Sequence, residues 1–208
     1  MDDRVERYLT ELAGTEHGDD VLTDMEEYAA ERGFPIVGRA TGRFLEVAAR
    51  SIGARRVMEL GSGFGYSAYW FARAVGERGE IVCTDGDPSN AERAQEYLTR
   101  AGVWPLIRYR VGDALTGFAQ ETGEFDVAYC DVDKDGYPDC WRAARDRIRV
   151  GGLWLCDNVL WSGAVATGPL EGLTAAIDEH NRMVAADDRY VGTLNPVRDG
   201  VMMALRVR

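Results

Sequence analysis

The sequence predicts an α/β fold: a seven-stranded, mostly parallel sheet with helices on both faces and an antiparallel hairpin at its C-terminal end. Three observations lead there. From Arg55 onward, short continuous apolar runs alternate with helical segments, the pattern of strands buried on both faces by crossover helices. Five of these runs end close to a carboxylate, as in open sheets that bind ligands beyond their strand ends. The last two strand-like segments, 189–194 and 201–207, are joined only by Asn195 to Gly200. A link that short fits a hairpin and not a parallel crossover.

The elements follow in order. Segments 2–13, 18–32 and 37–52 read as helices. The third places Val37, Ala40, Phe44, Leu45, Ala48 and Ile52 on one face at helical spacing. Strand one is Arg56 to Leu60, followed by the glycine turn Gly61-Ser62-Gly63-Phe64-Gly65 and a helix over 66–76. Strand two is Glu80 to Asp85. Its helix, 88–101, opens with Asp87 as N-cap and Pro88 in the first turn, and lines its inner face with Ala91, Ala94, Leu98 and Ala101. Strands at 106–111, 125–130 and 153–156 follow, with the turn Val150-Gly151-Gly152 ahead of the last. A helix over 170–186 carries Leu170, Leu173, Ile177 and Val184 on one side. The N-terminal helices, residues 1–36, read as an extension of one domain spanning 37–208. Together these elements make a Rossmann-like architecture.

Composition narrows the function. Among 208 residues, 35 Asp and Glu outweigh 24 Lys and Arg, for a net charge of -11. That argues against a nucleic-acid partner, whose binding rests on a basic face. No apolar run approaches the ~20 residues of a membrane span, and Met1 to Arg7 lacks the apolar stretch of a secretory signal. A cytoplasmic protein without a membrane partner is expected. Cys83, Cys130, Cys140 and Cys156 have no C-x-x-C spacing and only two His accompany them, so they read as reduced, buried thiols rather than a zinc site. His17 and His180 read as a surface and a helix-face histidine. Of the 24 basic residues only one, Lys134, is Lys. An ammonium can release its proton in a suitable setting, whereas a guanidinium does not.

Five strand ends bring Glu59, Asp85, Asp113, Asp131 and Asp157-Asn158 to one rim. A dinucleotide-binding turn wants G-x-G-x-x-G. Here the glycines fall at 61, 63 and 65 and position 66 is Tyr, which weakens a nicotinamide cofactor. A glycine turn with an acid closing strand two still indicates a nucleoside-containing cofactor. The stretch from Val57 to Ser67 resembles the first motif of class I S-adenosylmethionine-dependent methyltransferases, and its Gly65-Tyr66-Ser67 ending resembles the catechol and caffeoyl-CoA O-methyltransferase family. The resemblance implies that Glu59, Gly61 and Ser67 hold the amino acid end of S-adenosylmethionine. It puts Asp85 on the ribose, Asp113 and Ala114 against the adenine, Val37 near the methionine portion, and Asp131 beside the cofactor.

The segment Asp131-Val132-Asp133-Lys134-Asp135-Gly136-Tyr137 resembles that family's D-x-D-K-x-x-Y, and Asp157-Asn158-Val159-Leu160-Trp161 its D-N-x-L-W. The resemblance implies a divalent cation on Asp131, Asp157 and Asn158. Oxygen ligands alone select a hard ion, Mg²⁺ first, with Ca²⁺ and Mn²⁺ as alternatives. Such an ion lowers the pKa of a bound phenol. Lys134 is then the general base, and Trp161 a wall for the substrate ring. The implied acceptor is a hydroxyl of a small aromatic vicinal diol, and the implied assembly a homodimer. Tyr137 reads as a structural residue in the first turn of a helix. Pro196 to Val201 resembles a late P-x-G-D-G-x turn, with Arg198 standing where the pattern has glycine.

Three rivals are weighed. A nicotinamide-dependent oxidoreductase on a similar sheet is disfavoured by Tyr66 and by the lack of a Tyr-x-x-x-Lys pair. A nucleic-acid methyltransferase would carry D/N-P-P-Y/F after strand four. A cofactor-binding pseudoenzyme would retain the pocket without turnover. Residues 1–36 match no motif, although this part of the chain shapes the acceptor pocket in the resembled family.

Overall fold

Alternation along the strands divides the core into two layers. The chain, described over residues 3–13 and 20–208 in a computed structural model, forms β1 (Arg56–Leu60), β2 (Glu80–Asp85), β3 (Ile107–Val111), β4 (Phe125–Cys130), β5 (Ile148–Cys156), β6 (Tyr190–Asn195) and β7 (Val201–Arg206). They make one sheet in the order β3-β2-β1-β4-β5-β7-β6. The first five pair in parallel, and β7 enters antiparallel between β5 and β6. This is the expected sheet with its C-terminal hairpin.

Successive side chains of a strand point to opposite faces. Val57, Ile81, Val127 and Leu153 therefore join one core with α2 (Asp20–Arg32), α3 (Gly38–Ser51), α4 (Tyr66–Val75) and α5 (Pro88–Arg100). Met58, Val82, Ala128 and Trp154 join the other, with α6 (Ala114–Ala119), α7 (Tyr137–Ala144) and α9 (Gly172–Ala186). Two short helices remain, α1 (Asp3–Ala13) and α8 (Ala164–Thr167). Leu22, Met25 and Ala29 of α2 are buried in the first core, so the N-terminal segment packs onto the sheet layer. Among the described residues no helix is long and apolar enough to cross a membrane.

Several sequence expectations need correction. Strand five does not start after the glycine turn. β5 runs from Ile148 through Gly151, whose φ is +79°, with a register irregularity opposite Phe125 and Val127. Pairing with β4 extends the strand across a turn-like dipeptide. Helix α6 was not expected, because six residues are too few to display a period. Leu170 and Leu173 are exposed, and the buried face of α9 is formed by Ile177, His180 and Val184. His180, expected on a helix face, lies on the buried one. It accepts a hydrogen bond from Trp154 Nε1 at 3.1 Å, and burial pulls its pKa down to about 4. His17 lies outside the described residues. The helix start at Asp87 and Pro88 is as expected, with the Asp87 carboxylate accepting from Ser89 N at 2.8 Å.

Helix α3 also buries a charge that apolar patterning did not reveal. Glu46 is 3 % exposed and receives Arg43 at 2.7 Å, Arg50 at 2.9 Å and Arg73 at 3.3 Å. These contacts join α3 to α4. Losing the carboxylate leaves three guanidinium groups without their shared counter-ion, a change of the kind that costs about 3 kcal/mol. We expect Glu46→Ala to lower unfolding free energy by about that amount in urea titration.

Candidate active site

The five strand ends do meet at one rim. They line a cleft of ≈ 990 Å³ bounded by Val37, Gly61, Ser67, Asp85, Asp113, Ala114, Asp131, Lys134, Asp157, Asn158 and Trp161, with Phe34 and Arg198. The switch point explains the place: β1 and β4 are neighbours, their helices leave on opposite faces, and the strand ends splay around a crevice. A second depression, ≈ 490 Å³ along α9, is lined by Leu170, Met183 and Ala186 with the ion-paired Asp178, Glu179 and Arg182. None of the candidate residues lies there.

The glycine turn fits the sequence reading closely. Gly61 has φ +84°, and a Cβ on it would stand 2.5 Å from the carbonyl oxygen of Asp131. The backbone can pass so near β4 only without a side chain. Gly65, at φ +86°, presses against Ala94 and Leu98 of α5. Asp85 holds the turn from outside. It accepts from Gly63 N at 3.0 Å, Asp87 N at 2.9 Å and Asn90 Nδ2 at 2.9 Å. Asp113 caps α6 through Thr116 N at 2.8 Å and Thr116 Oγ1 at 2.7 Å. These two bonds hold its carboxyl below the usual range.

Glu59 lies under the turn, fully buried, with one oxygen lacking any hydrogen-bond partner. Burial pushes its pKa up to about 7, against hydrogen bonds from Ser67, Ser62 and Cys83, while the charge of Asp131 adds to the rise. Ser62 was missed by sequence reasoning. It lies inside the glycine turn, where nothing separates a functional serine from a turn serine. A buried carboxylate with an open oxygen suits a positively charged group, as the ammonium of an amino acid would be.

The acidic side of the cleft is built around Lys134, at the start of a 3₁₀ turn after β4. Its ammonium donates to Asp131 Oδ1 at 3.0 Å and Asn158 Oδ1 at 2.8 Å. It also stands 4.9 Å above the ring of Tyr137. Register brings the two loops together, since Cys130 pairs with Cys156 and Asp157 N reaches Cys130 O at 3.2 Å. Tyr137 clamps them from below, its hydroxyl donating to Asp157 O at 2.8 Å. It is fully buried at the start of α7. Expected as a structural residue, it also supports the lysine.

Asp157 is the second strained carboxylate. It is 1 % exposed and its Oδ1 has no partner. Burial, with the charge of Asp131 beside it, raises its pKa to about 7 against the Asn158 backbone N–H, Arg198 and Lys134. Among the described residues no cluster of three or more His, Cys, Asp or Glu is arranged to hold a metal ion. The three oxygen donors here are two carboxylates and one amide. An unpartnered buried Asp157 oxygen beside Asp131 and Asn158 nonetheless fits a hard divalent cation in charge and donor type. Trp161 is half-buried beside Asn158, and both have left-handed backbones, with φ of +48° and +55°.

Comparison with known proteins agrees with the geometry. The family model described as O-methyltransferase matches residues 15–207. A catechol O-methyltransferase of Niastella koreensis is 34% identical over 167 residues, 77% of this chain and 75% of the relative. A caffeoyl-CoA O-methyltransferase of Eucalyptus gunnii is 29% identical over 99% of this chain and 88% of its own. In three dimensions, the O-methyltransferase TomG of Streptomyces achromogenes, involved in tomaymycin synthesis and crystallised with SAM, superposes with a TM-score of 0.88. It is 28% identical, covering 99% of this chain and 96% of that one. An O-methyltransferase from Bacillus cereus in complex with SAH gives 0.88 at 26% identity, covering 98% and 97%.

The raised pKa of Glu59 gives the fold a pH dependence. Its folded pKa of about 7 stands above the ordinary 4.5, so its stabilising contribution is full below 4.5 and lost as pH rises through 7. The melting temperature of the cofactor-free protein should therefore fall from about pH 5 to about pH 8. The ionised form is the one that takes a cation, so SAH affinity should weaken as pH drops below 7. Calorimetric titration across that range, with Glu59→Gln as the pH-insensitive reference, checks both signs.

Proposed function

The chain belongs to the O-methyltransferase family and is an S-adenosylmethionine-dependent enzyme, and on that premise we propose that it methylates one hydroxyl of a small aromatic vicinal diol with the help of a divalent cation. The observation that carries this reading is the meeting of Lys134, Asp131, Asp157 and Asn158 in one cleft, with one buried carboxylate oxygen unsatisfied. Support also comes from the two curated relatives, one named for catechol and one for caffeoyl-CoA.

Each residue then has a task. Glu59 and Ser67 take the ammonium end of S-adenosylmethionine, Gly61 lets that end approach, and Val37 packs beside it. Asp85 faces the ribose, and Asp113 with Ala114 borders the adenine. S-adenosylmethionine supplies an electrophilic methyl group on a sulfonium. Asp131, Asp157 and Asn158 would hold the cation, Mg²⁺ first and Ca²⁺ or Mn²⁺ otherwise. When bound, that cation supplies the charge that makes a phenol easier to deprotonate.

Lys134 removes the proton of the attacking hydroxyl, a role in which arginine would fail. In the structure its ammonium occupies oxygens of two of the three proposed ligands. The oxygens of Asp131 and Asn158 that would hold the cation are those that hold the ammonium here. Trp161 flanks the acceptor ring and helps exclude water, leaving alignment as the main catalytic contribution. We read residues 1–36 as an extension of a single domain that runs from 37 to 208. We read the protein as a cytoplasmic homodimer, on the family resemblance.

The test is methylation of catechol by the chain before and after EDTA, with Mg²⁺ added back, alongside Lys134→Ala. Chelation should abolish turnover and Mg²⁺ restore it. Lys134→Ala should lose about two or more orders of magnitude in kcat while SAH affinity changes little. Full activity in EDTA would remove the cation from the mechanism. Loss of SAH binding in Lys134→Ala would make the lysine structural.

A further inference from the structure

Among the described residues, four non-glycine positions have a left-handed backbone: Asn158, Trp161, Ser162 and Arg198, with φ of +55°, +48°, +53° and +52°. All four lie in one corner, where the β6–β7 turn sits on the loop after β5. The two segments are tied by Val159 N to Gly200 O at 3.1 Å, Leu160 N to Asp199 O at 2.9 Å and Ser162 N to Asp199 Oδ1 at 2.6 Å. A Cβ on Gly200 would meet Leu160 Cγ at 2.6 Å, so the turn is pressed closely against that loop. Backbone strain of this kind persists where surrounding contacts enforce it, and it collects at ligand sites.

Arg198 stands out within the corner. Its side chain lines the cleft with Trp161, and its charge is felt by the carboxyl of Asp157. Among the described residues, only two cations line that cleft, Lys134 and Arg198. Lys134 is bonded to Asp131 and Asn158, whereas Arg198 is exposed and makes no hydrogen bond or ion pair with the described residues. Glycine would adopt φ +52° without strain, and arginine does so at a cost. An unpaired guanidinium, held on a strained backbone at the mouth of an acidic cleft, fits the recognition of an anion.

We propose that Arg198 forms an acceptor subsite for a carboxylate, so that the preferred substrates are aromatic vicinal diols with an acidic group at the far end of the molecule. The diol end is placed by the residues around Lys134, and the inference rests on that reading. The acid end points out of the cleft past Trp161 and pairs with the guanidinium. The pairing also offsets the repulsion that a chain of net charge -11 exerts on an anionic substrate.

The test compares protocatechuate and caffeate with their primary amides, as kcat/KM ratios with Mg²⁺ and as dissociation constants in the SAH complex. The wild-type chain should favour at least one acid over its amide by about tenfold. Arg198→Gly, which suits the backbone angle, should bring that ratio close to one, Arg198→Lys should retain part of it, and Arg198→Glu should reverse it. An equal ratio in the wild-type chain and Arg198→Gly overturns the subsite while leaving the diol reading intact. If neither acids nor amides bind or turn over, the diol reading falls, and the subsite with it.

Discussion

Buried negative charge without a counter-charge is the constraint on which the site depends. Glu59 and Asp157 each end a central strand, each is nearly free of solvent contact, and each keeps an oxygen without a partner. A protein interior tolerates such groups only if they pick up a proton or meet a cation. Both carboxyls are pushed toward neutrality at about pH 7. The folded chain therefore carries an unmet demand for positive charge at two points of one cleft. An ammonium group suits the first, and under the proposed function a hard ion the second.

The sheet places these points. Parallel strands bring their carboxyl ends to one rim, and the reversal of order between β1 and β4 opens the crevice there. Gly61 allows the first loop to lie against Asp131, and the Cys130–Cys156 register brings Asp131 to Asp157. Tyr137 then fixes both the ring beneath Lys134 and the carbonyl of Asp157. A single buried side chain thus contacts both loops of this corner.

Much of this was legible in the residues. The glycine turn, the capped helix at Asp87 and the acid at each strand end are local signals with local causes. The meeting of Asp131 with Asp157 and Asn158 was legible because strands four and five are sequence-adjacent parallel neighbours, whereas the bonds of the Lys134 ammonium to Asp131 and Asn158 were not. Less visible were features set by tertiary contact. Gly151 and Gly152 suggest a turn, yet pairing with β4 carries β5 through them with a shift in register. The inner face of α9 runs through His180, satisfied there by Trp154, and not through Leu170 and Leu173, whose hydropathy suggested it. Glu46 and Ser62 gave no signal, since a buried charge and a polar turn residue show their role only through their partners. The sequence did expose Arg198 as a departure from a turn pattern, but not that the turn docks beside Trp161.

The confinement of the chain's sole lysine to the cleft has a chemical corollary. Every other basic side chain is a guanidinium, which reacts poorly with acylating reagents at neutral pH. One ε-amine is left in the whole molecule, sheltered to 15% exposure and pinned by three oxygens, those of Asp131, Val132 and Asn158. Its rate of acylation, followed by mass spectrometry, becomes a reporter of whether that amine is held or released, and it needs no engineered probe.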